Sequence, residues 1–345
     1  SNTLGGTVSY TENGTAVVLD SDVQILDAEL SAAGNFSGAT LTLTRVGGAN
    51  SQDVFSASGV LSTLTQGGNL VVSGTTIGTV TTNSNGTLVL TFNSSATQSL
   101  VNSAMRAIAY SNSSDAPPSS VQISWTFNDG NSGSQGTGGA LTGTSTSTVN
   151  ITAVNDAPVL TPYSPTLPRT EDGAGYTATV ATLLGSSITD ADSGAVQGIA
   201  IRSLTLAGGT LEYSLDGTNW ITVSGVATTN ALLLRATDQM RFTPSTTNGG
   251  TTLITYNAWD QTSGTAGGFA NITTTGGTTA FSSATDTITV SVTSVNDAPV
   301  LDNSGTMTFT TITEDQTTNA GQTVASIIAS AGGDRITDVD ASAVA

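Results

Sequence analysis

Groups able to do chemistry are few in this chain. Of its 345 residues, 25 are Asp or Glu and seven are basic, and His and Cys are absent. The basic residues are all arginines (Arg45, Arg106, Arg169, Arg202, Arg235, Arg241 and Arg335), so Lys is absent as well. Disulfides, Cys nucleophiles, His-based triads, Schiff bases, zinc sites built on His or Cys, and Lys–Asn isopeptide cross-links therefore cannot be made. What remains is carboxylate chemistry. Two carboxylates about 5 to 9 Å apart suffice for glycoside hydrolysis. A cluster of them can instead hold a hard cation such as Ca²⁺, which takes about six to eight oxygens from carboxylates, carbonyls and water.

Spacing favours the second use. The segment Val154-Asn155-Asp156-Ala157-Pro158-Val159-Leu160 returns unchanged as Val295-Asn296-Asp297-Ala298-Pro299-Val300-Leu301, 141 residues later. After each copy comes Thr-Glu-Asp (170–172 and 313–315), and then Ile-Thr-Asp-x-Asp (188–192 and 336–340). A looser version precedes them, with Thr11-Glu12-Asn13 and later Asp27-Ala28-Glu29. Asp-x-Asp offers two carboxylates from one turn, the Glu a two-oxygen arm, and the Asn-Asp linker side-chain and carbonyl oxygens. Clustered carboxylates repel one another and need a reason to gather. Asp and Asn are also good turn formers, so turn chemistry is the competing explanation. It is the expected one for Asp20, Asp22, Asp53, Asp216 and Asp286. Since acid clusters recur at every linker, and an active site is not normally duplicated there, no enzymatic activity is expected.

The elements that must position these groups read as strands. Short alternating runs of Val, Ile, Leu and Thr are separated by Gly and Asn clusters, the signature of an all-β chain. The clearest strands are expected at 41–46, 70–73, 87–92, 121–127 and 146–152, and again at 203–206, 210–215, 220–223, 253–259 and 285–292. Leu100, Val101, Ala104, Met105 and Ile108 fall at helical spacing, so 97–109 is expected to be a short amphipathic helix. Each heptapeptide follows a strand-like run, and its Pro cannot donate to a ladder. The heptapeptides therefore mark boundaries, giving modules at 1–156, 157–297 and a partial one at 298–345. A module cut short cannot close its own sandwich, so the third is expected to be ordered in part or completed by another chain.

Charge limits the partners. The net charge of −18 is spread evenly: two Arg against nine acids in 1–156, four against ten in 157–297, one against six beyond. Nucleic acid requires a basic surface and is excluded as a partner. No apolar run of about 18 residues and no secretory leader is visible, so no membrane insertion is expected. The chain reads as a piece of something longer.

The set Glu12, Asn155-Asp156-Ala157-Pro158, Thr189-Asp190-Ala191-Asp192-Ser193-Gly194 and Asp260 resembles the calcium motifs of cadherin repeats. The Val-Asn-Asp-Ala-Pro-Val-Leu ending, the Thr-Glu-Asp opening and Ala258-Trp259-Asp260-Gln261 are similar to the tandem cadherin-like repeats of giant bacterial adhesins. The resemblance spans essentially the whole chain. It implies Greek-key β-sandwich modules of cadherin or immunoglobulin type, arranged end to end, outside the cell, with Ca²⁺ as cofactor. Carried over, it implies a first station of Glu12, Asn155, Asp156, Asp190, Asp192 and Asp260. A second would use Glu171, Asn296, Asp297, Asp338 and Asp340, and an N-terminal pole Asp27, Glu29 and Asp129. The linker lacks the second Asn of animal cadherins and no Asp-Arg-Glu station is visible, with Asp115 and Asp238 as weak substitutes; one or two ions per station are implied.

The function expected from this resemblance is a calcium-stiffened spacer in a large repetitive adhesin or surface filament, supporting cell adhesion or biofilm formation. Its partners would be neighbouring repeats, further copies in a fibre, and surface glycans or cells. The alternative is a glycan-binding module that stacks sugars on Trp125, Trp220 or Trp259, although a Trp in a sandwich strand is more often core. Ser214-Leu215-Asp216-Gly217-Thr218-Asn219-Trp220 comes near an Asp-box hairpin, and a tight Asp-Gly turn is the simpler account.

Overall fold

A computed structural model of the chain describes residues 4–132, 139–333 and 335–340; the extreme ends of the first and third expected modules, 1–3 and 341–345, lie outside them. The all-β class is what the structure shows. The chain divides into two compact units, Ser1–Asn155 with Ala191–Ser193, and Asp156–Asp190 with Gly194–Ala345.

In the first unit a seven-stranded sheet runs in the order Gly6–Thr11, Thr142–Thr152, Ser120–Asn128, Thr40–Arg45, Thr87–Phe92, Thr75–Ser84, Asn69–Val72. A smaller sheet orders Val17–Val18, Ile108–Asn112 and Asp53–Ala57. Alternation drives the pairing of the layers: Leu88, Leu90 and Phe92 from one strand and Val121, Ile123, Trp125 and Phe127 from another turn inward. Phe55, Ile108 and Tyr110 meet them from the smaller sheet, so one core separates two sheets, which is a β-sandwich. The expected helix is shorter than its periodicity suggested, spanning Gln98–Met105 with Thr97 as N-cap. Val101, Ala104 and Met105 are buried as the spacing required, but Ile108 opens a strand. The chain must pair with Asp53–Ala57 at that point, and ladder bonds override the helical pattern.

The second unit repeats the plan. Its larger sheet orders Thr166–Thr170, Phe281–Thr293, Gly250–Trp259, Gly198–Thr205, Ala231–Arg235 and Phe269–Ala270; its smaller one orders Tyr176–Thr179, Gln239–Pro244, Gly209–Ser214 and Ile221–Thr222. In both units the first long strand lies parallel to the last, while the neighbours are antiparallel. The smaller sheet is reached by cross-sheet connections, the Greek-key arrangement of cadherin and immunoglobulin sandwiches. Ala231–Arg235 is buried on both faces: Leu232 and Leu234 join the main core, and Ala231 and Leu233 pack with Trp259, Ile272 and Phe281 in a second one. All ten strands expected from the sequence are present, with ends shifted by a few residues. From the start of the third repeat come a two-residue ladder, Val300–Leu301 with Ile336–Thr337, and a helix, Val324–Ser330. Its Phe309 and Val324 are exposed by 76% and 72%, because no second sheet covers them among the described residues.

Candidate metal centre

The same local device seats a Glu in each unit. Strand Gly6–Thr11 runs parallel to Thr142–Thr152 with Thr11 opposite Thr152, and Thr166–Thr170 parallel to Phe281–Thr293 with Thr170 opposite Thr293. The next residue extends each ladder: Glu12 N donates to Thr152 O and Glu171 N to Thr293 O, both at 3.0 Å. The chain then turns tightly, with Gly14 N donating to Thr11 O (2.9 Å) and Gly173 N to Thr170 O (3.1 Å). Asn13 and Asp172 occupy the left-handed region there, φ 56° and 59°; Asn and Asp are the non-glycine residues that tolerate it best. The turn folds each Glu back under the linker that leaves the last strand. Glu12 Oε2 accepts from Val154 N at 2.9 Å and Glu171 Oε2 from Val295 N at 3.2 Å. Each Glu is 2% exposed.

The second expected station lies within the second unit. Asp297 N donates to Asp340 Oδ2 at 2.8 Å, and Asp340 N to Asp338 Oδ1 at 2.9 Å. The ladder Val300–Leu301 with Ile336–Thr337 clips the Asp-x-Asp turn to the linker. The earlier copy repeats this clip, Val159 opposite Thr189 and Leu160 opposite Ile188. Asn296 is exposed and donates to Asp297 O (2.7 Å). The Asp297 carboxyl is pushed above the ordinary carboxylate range, first by desolvation and then by the charges of Asp172, Asp340 and Asp338. Glu171 Oε1 and Asp297 Oδ2 are buried and accept no hydrogen bond. A buried carboxylate oxygen without a donor is costly unless a cation meets it. The donor set is all oxygen, which suits Ca²⁺ and not a soft metal. Asp172 was not singled out in the sequence; its place directly after each Thr-Glu, repeated at Asp315, was the available signal.

The other expected ligands are placed as follows. In the first unit Glu12 has Asp115 beside it, with carboxylate oxygens within 4.8 Å of each other. Asn155 ends that unit, and Asp192 clusters with it. In the second unit Asp156 opens the chain, Asp190 follows Ile188–Thr189, and Ala157 N donates to Gly277 O at 2.8 Å. Asp260, 2% exposed, follows Gly250–Trp259; its N donates to Ala280 O (3.1 Å) and its Oδ1 accepts from Thr262 N (2.8 Å) and Thr262 Oγ1 (2.6 Å).

The N-terminal pole is not gathered in the same way. Asp27 caps Ala28–Ala33 by accepting from Leu30 N (2.8 Å), and Glu29 is exposed in that helix's first turn. Asp129 accepts from Asn131 N (3.0 Å) and Leu141 N (2.9 Å). Neither these three nor the acids of the second station form a close group of three carboxylates among the described residues. Asp238 is not a counterpart of Asp115: it accepts from Arg235 Nη2 at 2.7 Å, and its side chain is wholly buried. Two acids assigned to turn chemistry are buried hubs instead. Asp53 accepts from Arg45 Nε (2.8 Å), Arg45 Nη2 (2.5 Å), Tyr110 Oη (2.6 Å) and Asn112 Nδ2 (3.1 Å). Asp286 accepts from Tyr163 N (3.1 Å), Ser164 Oγ (3.1 Å) and Tyr256 Oη (3.2 Å). Asp216 is a turn residue as expected, accepting from Thr218 N and Asn219 N at 2.8 Å. Trp125 and Trp259 are core, 1% exposed, with indole N–H bonds to Ser147 Oγ (3.0 Å) and Ser263 O (2.7 Å). Trp220 is half-buried with Arg241 stacked 4.1 Å from its ring centre.

No protein-family model matches the chain, and neither does any curated protein. Solved structures similar to it include an endo-fucoidan hydrolase of glycoside hydrolase family 107, 17% identical over 84% of this chain at a TM-score of 0.23. Mouse protocadherin-24 EC1-3 is 12% identical over 83% of this chain and 96% of its own, at 0.30. CfaE, the adhesive subunit of CFA/I fimbria of enterotoxigenic Escherichia coli, is 11% identical over 84% and 98%, at 0.25. The chain spans 28% of the length of the hydrolase. At TM-scores of 0.30 and below these likenesses do not bear on function, which is read from the stations themselves. No helix among the described residues is long and apolar enough to cross a membrane.

Proposed function

We propose that this chain is a non-catalytic extracellular spacer whose linkers are stiffened by Ca²⁺, a segment of a large repetitive adhesin or surface filament. The observation that carries the reading is that Glu171 Oε1 and Asp297 Oδ2 are each buried without a donor, at a linker whose Val295 N bonds to Glu171 and whose Asp297 N bonds to Asp340. Without a cation these acids repel, while the linker Val295-Asn296-Asp297 is tied through hydrogen bonds to Glu171 and Asp340. With one, Glu171 from the module body, Asp297 from the linker and Asp338 and Asp340 from the next repeat share a single charge-neutralising centre. The Glu device recurs at Glu12 in the first unit, and the two-residue clip recurs beside Asp190 in the second. Extracellular modules of this kind hold Ca²⁺ in the range of about 10⁻⁴ to 10⁻³ M.

Hydrogen exchange on the full chain tests the proposal. Amides of 294–300 are expected to exchange fast in chelator and to be protected at millimolar Ca²⁺, with the strands Gly250–Trp259 and Phe281–Thr293 protected in both. Linker exchange that is the same with and without Ca²⁺ refutes stiffening.

A further inference from the structure

A cleft of about 420 Å³ opens on the second unit where the helix Val180–Leu184 ends beside the segment that follows Val159–Leu160; Thr161, Tyr163, Leu184, Gly185, Ser186 and Ser187 line it. Thr161 N donates to Ser187 O at 2.8 Å, carrying the ladder of Leu160 with Ile188 one bond further. Ser187 is 8% exposed, yet its Oγ makes no hydrogen bond. A buried hydroxyl without a partner is uncommon and calls for an explanation. Tyr163 is 50% exposed and is tied at both ends. Its Oη donates to Leu183 O in the helix, and its N donates to Asp286 Oδ2 at 3.1 Å. Ser164, the next residue, lies in the left-handed region at φ 51°, which a residue with a side chain adopts at a cost. Asp286 holds it there, accepting from Ser164 N and Ser164 Oγ, both at 3.1 Å. A buried carboxylate thus fixes a strained turn that presents one aromatic ring to solvent.

The third repeat builds the same frame and fills it. Val300–Leu301 pairs with Ile336–Thr337 as Val159–Leu160 does with Ile188–Thr189, and Asp302 N donates to Arg335 O at 2.8 Å as Thr161 N does to Ser187 O. By this register Arg335 stands at the place of Ser187, Asp302 at that of Thr161, Ser304 at that of Tyr163 and Ala331 at that of Leu183. Arg335 Nη1 donates to Asp302 Oδ2 (2.5 Å) and Ser304 Oγ (3.2 Å), and its Nη2 donates to Ala331 O. The frame itself therefore does not require an open cleft.

We propose that this cleft binds a neutral sugar ring, packed against Tyr163 and hydrogen-bonded by Ser187 Oγ. One face of a pyranose is a patch of C–H groups that packs on an aromatic ring, while its hydroxyls both donate and accept, as an unpartnered Ser hydroxyl requires. Thr161 and Ser186 add hydroxyls to the lining. No charged side chain is among these lining residues, which suits a neutral ligand over a cation, and the net charge of −18 disfavours an anionic one. The volume falls within the range of about 300 to 1,000 Å³ usual for small-ligand sites. The aromatic platform is Tyr163 and none of the three tryptophans, and the site does not depend on the carboxylates of the stations.

Saturation-transfer NMR on the full chain, in chelator and again with Ca²⁺, tests this with the methyl glycosides of glucose, galactose, mannose and N-acetylglucosamine, and with glucuronate as the charged control. At least one neutral glycoside is expected to bind the parent in both conditions, so the test stands whether or not the stations hold Ca²⁺. Ser187→Ala, which removes one hydrogen bond, should weaken that binding by about tenfold, and Tyr163→Ala should abolish it. Thr161→Asp, Tyr163→Ser and Ser187→Arg combined copy the filled frame of the third repeat; this variant should bind no sugar while keeping the circular dichroism of the parent. Deleting a hydroxyl that has no partner should leave the melting temperature of Ser187→Ala at or above that of the parent. The inference is overturned if the parent binds none of the neutral glycosides, if it prefers glucuronate to all of them, or if the triple variant binds as the parent does. A marked fall in the melting temperature of Ser187→Ala would overturn it as well, because the hydroxyl would then be used within the fold.

Discussion

Asp53→Ala should do more damage than any other single change in the first unit, and the effect should reach the Glu12 station. The Asp53 side chain is wholly buried and takes both Arg45 nitrogens, the Tyr110 hydroxyl and the Asn112 amide. Tyr110 meets Tyr10 edge-on at 6.2 Å, and Tyr10 Oη donates to Asn112 O at 3.2 Å. Tyr10 lies two residues before Glu12, and Asn112 Oδ1 accepts from Ser114 N (2.9 Å), next to Asp115. Removing Asp53 strands a guanidinium, a phenol and an amide in the interior. Breaking a buried pair by deleting one partner costs about 3 to 5 kcal/mol. At about 2 to 4 °C per kcal/mol for a domain of this size, the first unit's melting temperature should fall by roughly 6 to 20 °C. Differential scanning calorimetry of the full chain in chelator reads this without metal linkage. Replacing both partners, Arg45→Met with Asp53→Leu, should recover most of the loss. A fall below about 2 °C for Asp53→Ala would refute the assignment of Asp53 as the hub.

Other outcomes follow from the same geometry. Desolvation raises the Asp286 carboxyl, but hydrogen bonds from Tyr163, Thr287 and Ser164 outweigh it and hold the group below its ordinary 3.8. The folded state thus binds fewer protons, so this stabilisation is present above 3.8 and is lost as pH falls through the depressed value; urea unfolding against pH should show it, flattened in Asp286→Asn. Asp216→Ala, in a turn outside both stations, should leave Ca²⁺ affinity unchanged; a loss as large as that of Asp190→Ala would mean the acids act only as turn residues. Trp220→Ala should leave a glycan array profile unchanged, since Arg241 occupies one face of the ring; loss of a bound glycan in a folded variant would favour the glycan-binding alternative.

The strands were legible because alternation decides which residues meet the core, as in Leu88, Leu90 and Phe92. That the linker and Ile-Thr-Asp-x-Asp belong together was legible because both repeat, and Val300–Leu301 pairs with Ile336–Thr337 beside them. What could not be read depends on contacts distant in sequence. The roles of Asp53 and Asp286 come from Arg45, Tyr110, Tyr163 and Tyr256 across strands. Asp27 looked like half of an Asp-x-Glu station and is a helix cap, because a six-residue helix, Ala28–Ala33, starts there without a long apolar stripe to announce it.

The most direct test of the central claim is the amount of Ca²⁺ bound at equilibrium by the metal-stripped full chain, measured by dialysis with elemental analysis at about 1 mM free Ca²⁺. The account predicts at least one ion at the second station, with bound calcium reduced in Glu171→Gln and in Asp297→Asn. Calcium at background level in the parent, or an equal amount bound in parent and both variants, would contradict it.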